Sequence, residues 1–276
     1  MDRETVRVGA QDPRRQGDIL RLEYPNGLPA GPSLGLVINA DCDLANEKTD
    51  GVIAYLPVYT FREYLEGFWA ATYLNEAADL ATRKVLEIVR ADEADSETLR
   101  AWLRSDSTKT VMAKITKLNY VKESQHKQLE EHLKRVQICV DHNKSPLERF
   151  GILCRLDKNP DAVARKQLLA AKKAMGDGHF FISDVVDHTE VGFVIRMRRI
   201  YTISEGRCFT SVASQRTSSD GKEITAVRFA RLTPLYQFKV AQLFAHQYSR
   251  IGLPDDITAL SDLAIEALAS HISSVA

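Results

Sequence analysis

"LGLVINADCDLANEKTDGVIAYLPVYT", residues 34–60, holds the reading on which the fold turns. Two runs of strand character, Leu34 to Ile38 and Val52 to Val58, flank a polar stretch that ends in the turn residues Thr49-Asp50-Gly51. Upstream, Asp18 to Tyr24 forms a third such run, set off by Pro25-Asn26-Gly27 and Ala30-Gly31-Pro32. Three short strands in quick succession predict a small curled sheet or half barrel over 1–59.

After Thr60 the pattern changes period. Thr60 followed three residues later by Glu63 is a helix-start signature, and Phe61, Leu65, Phe68, Trp69, Tyr73, Leu80, Val85 and Ile88 continue at helical spacing. A shorter helix is expected from Ser96. Another is expected from Glu123 to Val140, where Leu129, Leu133, Val136 and Val140 form a stripe opposite a charged face. Residues 60–148 therefore read as a helical insert. Strands return over 149–229, with Phe150 to Leu156 as one of them, a helix from Asp161 to Met175, and a hairpin of Phe180 to Val186 and Gly192 to Ile203 around Asp187-His188-Thr189. Residues 230–276 read as carboxy-terminal helices, the first carrying Leu235, Phe238, Leu243 and Phe244 and ending at Gly252 and Pro254, the second carrying Leu260 to Ile272. The class is α+β.

Composition narrows the function classes. The 276 residues carry 44% hydrophobic and 27% charged side chains, as an ordinary globular protein does. The opening MDRETVRVGAQDPRRQGD has no apolar core and no run is long enough to cross a bilayer, so a cytoplasmic protein with no membrane partner is expected. Four cysteines without a Cys-x-x-Cys pair argue against a disulfide framework and a zinc ribbon. Phosphate-loop, dinucleotide and nucleophile-elbow signatures are absent, and no cofactor is expected.

The zero net charge hides an asymmetry. From Arg100 to Lys173 there are 17 Lys/Arg against 8 Asp/Glu, leaving 20 against 29 elsewhere. Lys109, Lys114 and Lys117 belong to this basic middle, as do Arg165, Lys166, Lys172 and Lys173, which recur at a seven-residue interval on one side of a helix. Such a stripe suits phosphate backbones or an acidic protein subunit. Arg196 and Arg198 form a second cluster and face the same way on a strand.

The turn Asp41-Cys42-Asp43 could serve three ends. A nucleophilic thiol needs nearby positive charge, and two flanking carboxylates favour the protonated form instead. Successive residues on an extended chain point to opposite sides, so at most two of the three could share a metal ion. The structural alternative makes Cys42 a small buried residue while Asp41 or Asp43 orders the turn. No metal site is expected from the histidines: His126 and His132 fall on different helix faces, and His179 and His188 flank a strand about 30 Å long when extended.

Two resemblances enter on these residues. "GDILRLEY", "GLVINADCDLANEK" and "GVIAYLPV" resemble the opening of the SH3-like barrels of PemK and MazF toxins, which cut RNA. That likeness implies an SH3-like half barrel with a helical insert and a carboxy-terminal helical clasp, and a nuclease using Asp41, Cys42, Asp43, Arg196 and Arg198. The family's Arg-Pro before the second strand is Ala30-Gly31-Pro32-Ser33 here, so its catalytic arginine is missing. "VINADCDL" with "RLTPLYQFKVAQLFAHQYSRIGLPDDI" resembles an uncharacterised bacterial family that accompanies mobile-element and phage-defence genes, which implies an antiviral role. The expectation is a non-enzymatic binding or regulatory component that contacts nucleic acid or a partner subunit, with self-association through the carboxy-terminal helices.

Overall fold

The computed structural model describes residues 3–27, 31–118, 121–248, 263, 265 and 266. Strands β1 (Thr5–Arg7), β2 (Asp18–Glu23), β3 (Leu34–Val37) and β4 (Val52–Thr60) come first, with the short α1 (Asp41–Ala45) between β3 and β4. Helix α2 (Phe61–Tyr64), a π-helical turn (Leu65–Trp69) and α3 (Ala70–Val89) lead into α4 (Ser96–Ser105), α5 (Thr108–Leu118), α6 (His126–Val140), α7 (Pro146–Cys154) and α8 (Pro160–Lys173). Then follow β5 (His179–Ile182), β6 (Phe193–Arg196), β7 (Tyr201–Ser204), β8 (Cys208–Phe209), α9 (Val212–Ser218), β9 (Thr225–Leu232) and α10 (Pro234–Tyr248).

The strands share one nine-stranded sheet ordered β1-β9-β2-β3-β4-β6-β5, with β7 also on β4 and β8 on β9. Every pairing is antiparallel except β8 with β9. The long β4 pairs β7 along its first half and β6 along its last three residues. Only the short turn Glu205–Arg207 separates β7 from β8, so the chain itself spans the open side of the curl. Inside this half barrel lie Leu20, Leu22, Val37, Ile53, Tyr55, Ile203, Cys208 and Ala226. On the other face Ile19, Leu36, Leu56, Val58, Ile195 and Leu232 pack with Val240 of α10.

A bulge fixes the join between β2 and β9. Ile19 pairs Ala230 and Leu20 pairs Arg228, which leaves Phe229 as an extra residue on β9. Arg228 and Arg231, three apart, would point to opposite faces of a regular strand; the extra residue brings both to one side. Both reach Asp18, at 3.3 Å from Arg228 and 2.5 Å from Arg231. Arg228 also donates to the carbonyls of Gly9, Asp12 and Pro13, which fastens the loop before β2. Asp18 is 1% exposed and Arg228 3%.

The helical insert has its own core of Val85, Leu99, Leu103, Val111, Leu129, Leu133 and Val136, contributed by α3, α4, α5 and α6. The expected stripe on α6 is its centre: Leu129, Leu133 and Val136 are fully buried. Burying each such leucine contributes about 1.5–3 kcal/mol.

Three expectations need correction. Phe150 to Leu156 is not a strand, because the chain there is α7 and its continuation, so strands resume only at His179 rather than across 149–229. Ser145 accepts from the amide of Glu148, Glu148 accepts from that of Ser145, and Pro146 sits at the first turn. That box starts a helix whatever the β character of the run behind it. The strand expected from Gly192 to Ile203 is two, β6 and β7, which meet different parts of β4. Arg231, expected to open the carboxy-terminal helical segment, lies in β9. The expected helix end at Gly252 and Pro254, and nearly all of the helix at Leu260 to Ile272, lie outside the described residues. Among the described residues no helix is long and apolar enough to cross a membrane.

Removing one partner of a buried ion pair costs about 3–5 kcal/mol. Asp18→Ala should therefore lower the free energy of unfolding by that amount in urea titrations. Arg7→Ala, which removes an exposed pair with Asp187, should leave the midpoint unchanged.

Candidate nucleic-acid interface

Helices α2 and α3 are joined by a turn that the helical periodicity does not anticipate. Thr60 and Glu63 form the expected capping box, but the helix then opens into the π-turn Leu65–Trp69. A π-turn adds a residue and rotates the side chains around it relative to a 3.6-residue repeat. Phe68, expected on the buried stripe, is 40% exposed. The turn is anchored through Glu66, which accepts from the amide of Leu147 at 2.9 Å and the hydroxyl of Ser145 at 3.3 Å, at the start of α7.

Phe68 stands against the sheet face opposite α10. Tyr59 pairs Val194, Tyr55 pairs Tyr201 and His179 pairs Arg196, so strand alternation places Tyr55, Tyr59, Tyr201, Arg196, His179 and Phe181 on one face. The Arg196 guanidinium carbon lies 4.0 Å from the centre of the Phe68 ring. Tyr59 meets Phe68 edge-on at 5.1 Å, and Tyr64 lies 5.7 Å from Phe68 and 5.3 Å from His179. Tyr55 and Tyr201 stack at 5.8 Å. Gly35 makes room for that stack: a Cβ there would stand 2.5 Å from the Tyr55 ring.

Electrostatics divide the site into phenols that stay protonated and a histidine that stays neutral. Burial pushes Tyr55 up to about 12, and it raises Tyr24, Tyr59 and Tyr64 as well. His179 is lowered below its usual 6.5, first by burial and then by Arg196 and Arg198. Its Nδ1 lies 2.6 Å from the carbonyl oxygen of Met175. A carbonyl only accepts, so Nδ1 carries the proton and Nε2 keeps a lone pair.

The basic middle divides into two places. Lys109, Lys114 and Lys117 lie on α5, which packs against α4 and α6. There Lys114 is held at 3.6 Å from Asp106 and lies 5.2 Å over Trp102. Arg165, Lys166, Lys172 and Lys173 lie on α8, where Lys172 sits 4.0 Å over Phe181. Arg165 and Lys172 line an open groove with Phe61, Leu168 and Asp161. Phe61 meets Phe181 edge-on at 5.5 Å, so the basic side of α8 continues into the aromatic face.

Asp41, Cys42 and Asp43 form the first turn of α1 at a different part of the sheet. Asp41 accepts from the amide of Gln16 at 2.7 Å, and the exposed Cys42 thiol lies 3.5 Å from Asp43 Oδ1. Cys42 is thus exposed where the structural alternative had it buried. The strand before α1 ends with Val37 opposite Tyr55, four residues from Tyr59 on β4. Arg196 follows Ile195, the partner of Val58, on the opposite edge of β4 from β3, and its guanidinium stacks on Phe68, whereas Asp41 bonds Gln16 and Cys42 lies beside Asp43. Arg198 lies beside Arg196, its Nε packed over Gly178. Among the described residues no group of three His, Cys, Asp or Glu side chains could hold a metal ion.

Sequence reasoning missed Tyr59, Tyr64, Phe68, Tyr201 and His179 as one cluster. The aromatics at 55, 59, 64 and 68 were a usable signal, but only the pairing of β4 with β6 and β7 unites them with Arg196. Comparisons with protein-family profiles, curated proteins and solved structures find no match for this chain.

Proposed function

We propose that the chain is a binding component that holds single-stranded nucleic acid on the face formed by Tyr59, Phe68, Tyr201, His179 and Arg196, with the backbone running toward α8. The observation that carries this is Arg196 stacked on Phe68 and ringed by aromatic side chains. Aromatic rings accept bases of any sequence, and nearby Arg and Lys neutralise phosphates. Arg198, Lys172 and Arg165 extend the positive charge along the strand's path. The curl of short strands supports the SH3-like reading of the half barrel, and the packing of α10 on its outer face supports the clasp. The likeness of the two ends to proteins beside phage-defence genes supports a place in a defence or mobile-element system.

Stacking on one aromatic side chain is worth about 1–3 kcal/mol per base. Tyr201→Ala should therefore weaken binding of a labelled single-stranded RNA about 5- to 150-fold in fluorescence anisotropy, with the salt slope unchanged. Arg196→Ala should also reduce the slope of log K against log salt by about 0.7, the contribution of one phosphate on a single strand. An unchanged affinity for Arg196→Ala would remove this surface from consideration.

Charge reversal separates the two halves of the basic middle. Reversing Arg165, Lys166, Lys172 and Lys173 together to Glu should abolish binding, whereas reversing Lys109, Lys114 and Lys117 should leave it intact. The opposite ranking, in the same anisotropy titration, would move the contact to α5.

A second reading, cleavage of the bound strand, is favoured by the neutral His179 directly opposite Arg196. Nε2 would take the proton of a ribose 2′-hydroxyl, whose oxygen bonds the adjacent phosphorus while the bond to the 5′-oxygen breaks. That leaving oxygen takes a proton from water, and Arg196 offsets the charge on the phosphate. Wild type should then cut RNA but not the 2′-deoxy strand, with an acid limb below pH 6.5 because the lowered pKa keeps His179 neutral to more acidic pH. His179→Asn should keep measurable binding and not cut; RNA left intact by the wild type contradicts this second reading alone.

A further inference from the structure

Helix α8 is presented to solvent along most of its length: of its 14 residues only Ala171 is buried. Its open side is neither uniformly charged nor uniformly apolar. Ala164 and Leu168, four residues apart, form a floor that Phe61 bounds from the start of α2, and Arg165 and Lys172 flank it. Seven residues, about 10 Å of helix, separate the two cations, and two turns bring them to the same side. Asp161, in the first turn of α8, closes one end of the groove with a negative charge.

This groove continues the aromatic face. Lys172 Nζ lies 4.0 Å over the Phe181 ring, and Phe181 meets Phe61 edge-on at 5.5 Å. Gly192 permits that junction: its φ is +84°, and a Cβ there would stand 3.0 Å from the Phe181 ring and 3.2 Å from Phe61. Phe181 and His179 lie two apart on β5, on one face, and His179 pairs with Arg196. Phe61 and Phe68 are seven residues apart on the segment through α2 and the π-turn, about 10 Å at helical rise.

The chemistry of the groove selects its occupant. A nucleobase offers a π face to Phe61 and flat apolar surface to Leu168, and it carries a phosphate on either side. Charges about 3.4 Å apart along a stacked strand cover the 10 Å or so from Arg165 to Lys172 in three steps, and in fewer when the strand is extended. A purely aliphatic ligand makes no use of the cations, and a free phosphate makes none of the floor.

We propose that Phe61, Ala164 and Leu168, between Arg165 and Lys172, form a second base subsite for a single strand whose first base lies on Phe68. The strand thus crosses from Arg196 over Phe181 onto α8, with the two subsites two to three nucleotides apart, and it ends before Asp161. This subsite rests on the reading of the Tyr59 and Arg196 face as a nucleic-acid surface.

The test is anisotropy titration of the full chain with a labelled uridine trimer, hexamer and nonamer. The hexamer should bind about 5- to 150-fold tighter than the trimer, the worth of one more stacked base, and the nonamer no tighter than the hexamer. Ala164→Met, which fills the floor without adding a ring or a charge, should remove the hexamer's advantage while binding the trimer as wild type does, which also shows the variant to be folded. Phe61→Leu should reduce the same advantage. A wild type that binds trimer and hexamer equally overturns the second subsite and leaves the first face standing. An advantage that survives both variants, as when the strand runs over the turn at Arg198 instead, overturns it as well. Failure of all three strands to bind contradicts the first face and this subsite together.

Discussion

The half barrel depends on one buried carboxylate. Asp18 opens β2, and the bulge at Phe229 turns both Arg228 and Arg231 toward it. Removing the extra residue would send one guanidinium to the other face, where Ile19, Leu36 and Leu56 pack. The same contacts tie residues 9–13 across the sheet, since Arg228 donates to three of their carbonyls. A buried pair of this kind is a poor source of net stability but a strict constraint on register, because any slip leaves a charge unpaired. With β9 locked against β2, β8 and β7 are positioned to span the open side of the curl.

The second constraint acts through β4. Its nine residues present alternate sides to two environments: Leu56 and Val58 enter the core beneath α10, while on the other side Tyr55 packs inside the half barrel and Tyr59 packs with Tyr64, Phe61 and Trp69 of the helical insert. The π-turn converts this from a sealed packing surface into an accessible one. It turns Phe68 outward as a platform for Arg196, and Glu66 holds the turn in place by bonding to the start of α7. Departures from regular helix of this type are frequent at functional sites, which fits a surface built to take a ligand.

Much of the architecture was legible where local chemistry decided it. Pro25-Asn26-Gly27 and Thr49-Asp50-Gly51 delimited β2, β3 and β4, Thr60 with Glu63 marked the helix start, and the stripe from Leu129 to Val140 identified α6. Where two local signals competed, the apolar run misled: Phe150 to Leu156 has strand character, yet the capping box of Ser145 and Glu148 starts a helix through it. Strand β9 was hidden because a bulge and two core-facing arginines break the alternation that marks a half-buried strand. Of the site, Arg196 was readable on a strand, whereas Arg198, expected beside it on the same strand, falls in the turn after β6. The neighbours of Arg196 were not readable, because Tyr59, Phe68, His179 and Tyr201 meet only through pairings between distant parts of the chain. His179 was weighed as a metal ligand, whereas its position opposite Arg196 and its bond to Met175 give it a different chemistry.

The division of the basic middle follows from packing. Both α5 and α8 carry lysines on their solvent faces, as amphipathic helices do, but α5 is docked on the insert's own core and α8 lies beside Phe61 and Phe181. Net charge alone ranks the two equally; aromatic neighbours distinguish them. The most direct measurement is photo-cross-linking of a 5-iodouridine-substituted single-stranded RNA to the full chain, with the attached residues identified by mass spectrometry. Attachment at Tyr59, Phe68 or Tyr201 is the predicted result. Attachment confined to α5, or none under conditions where the RNA is bound, would contradict the assignment of this face as the nucleic-acid surface.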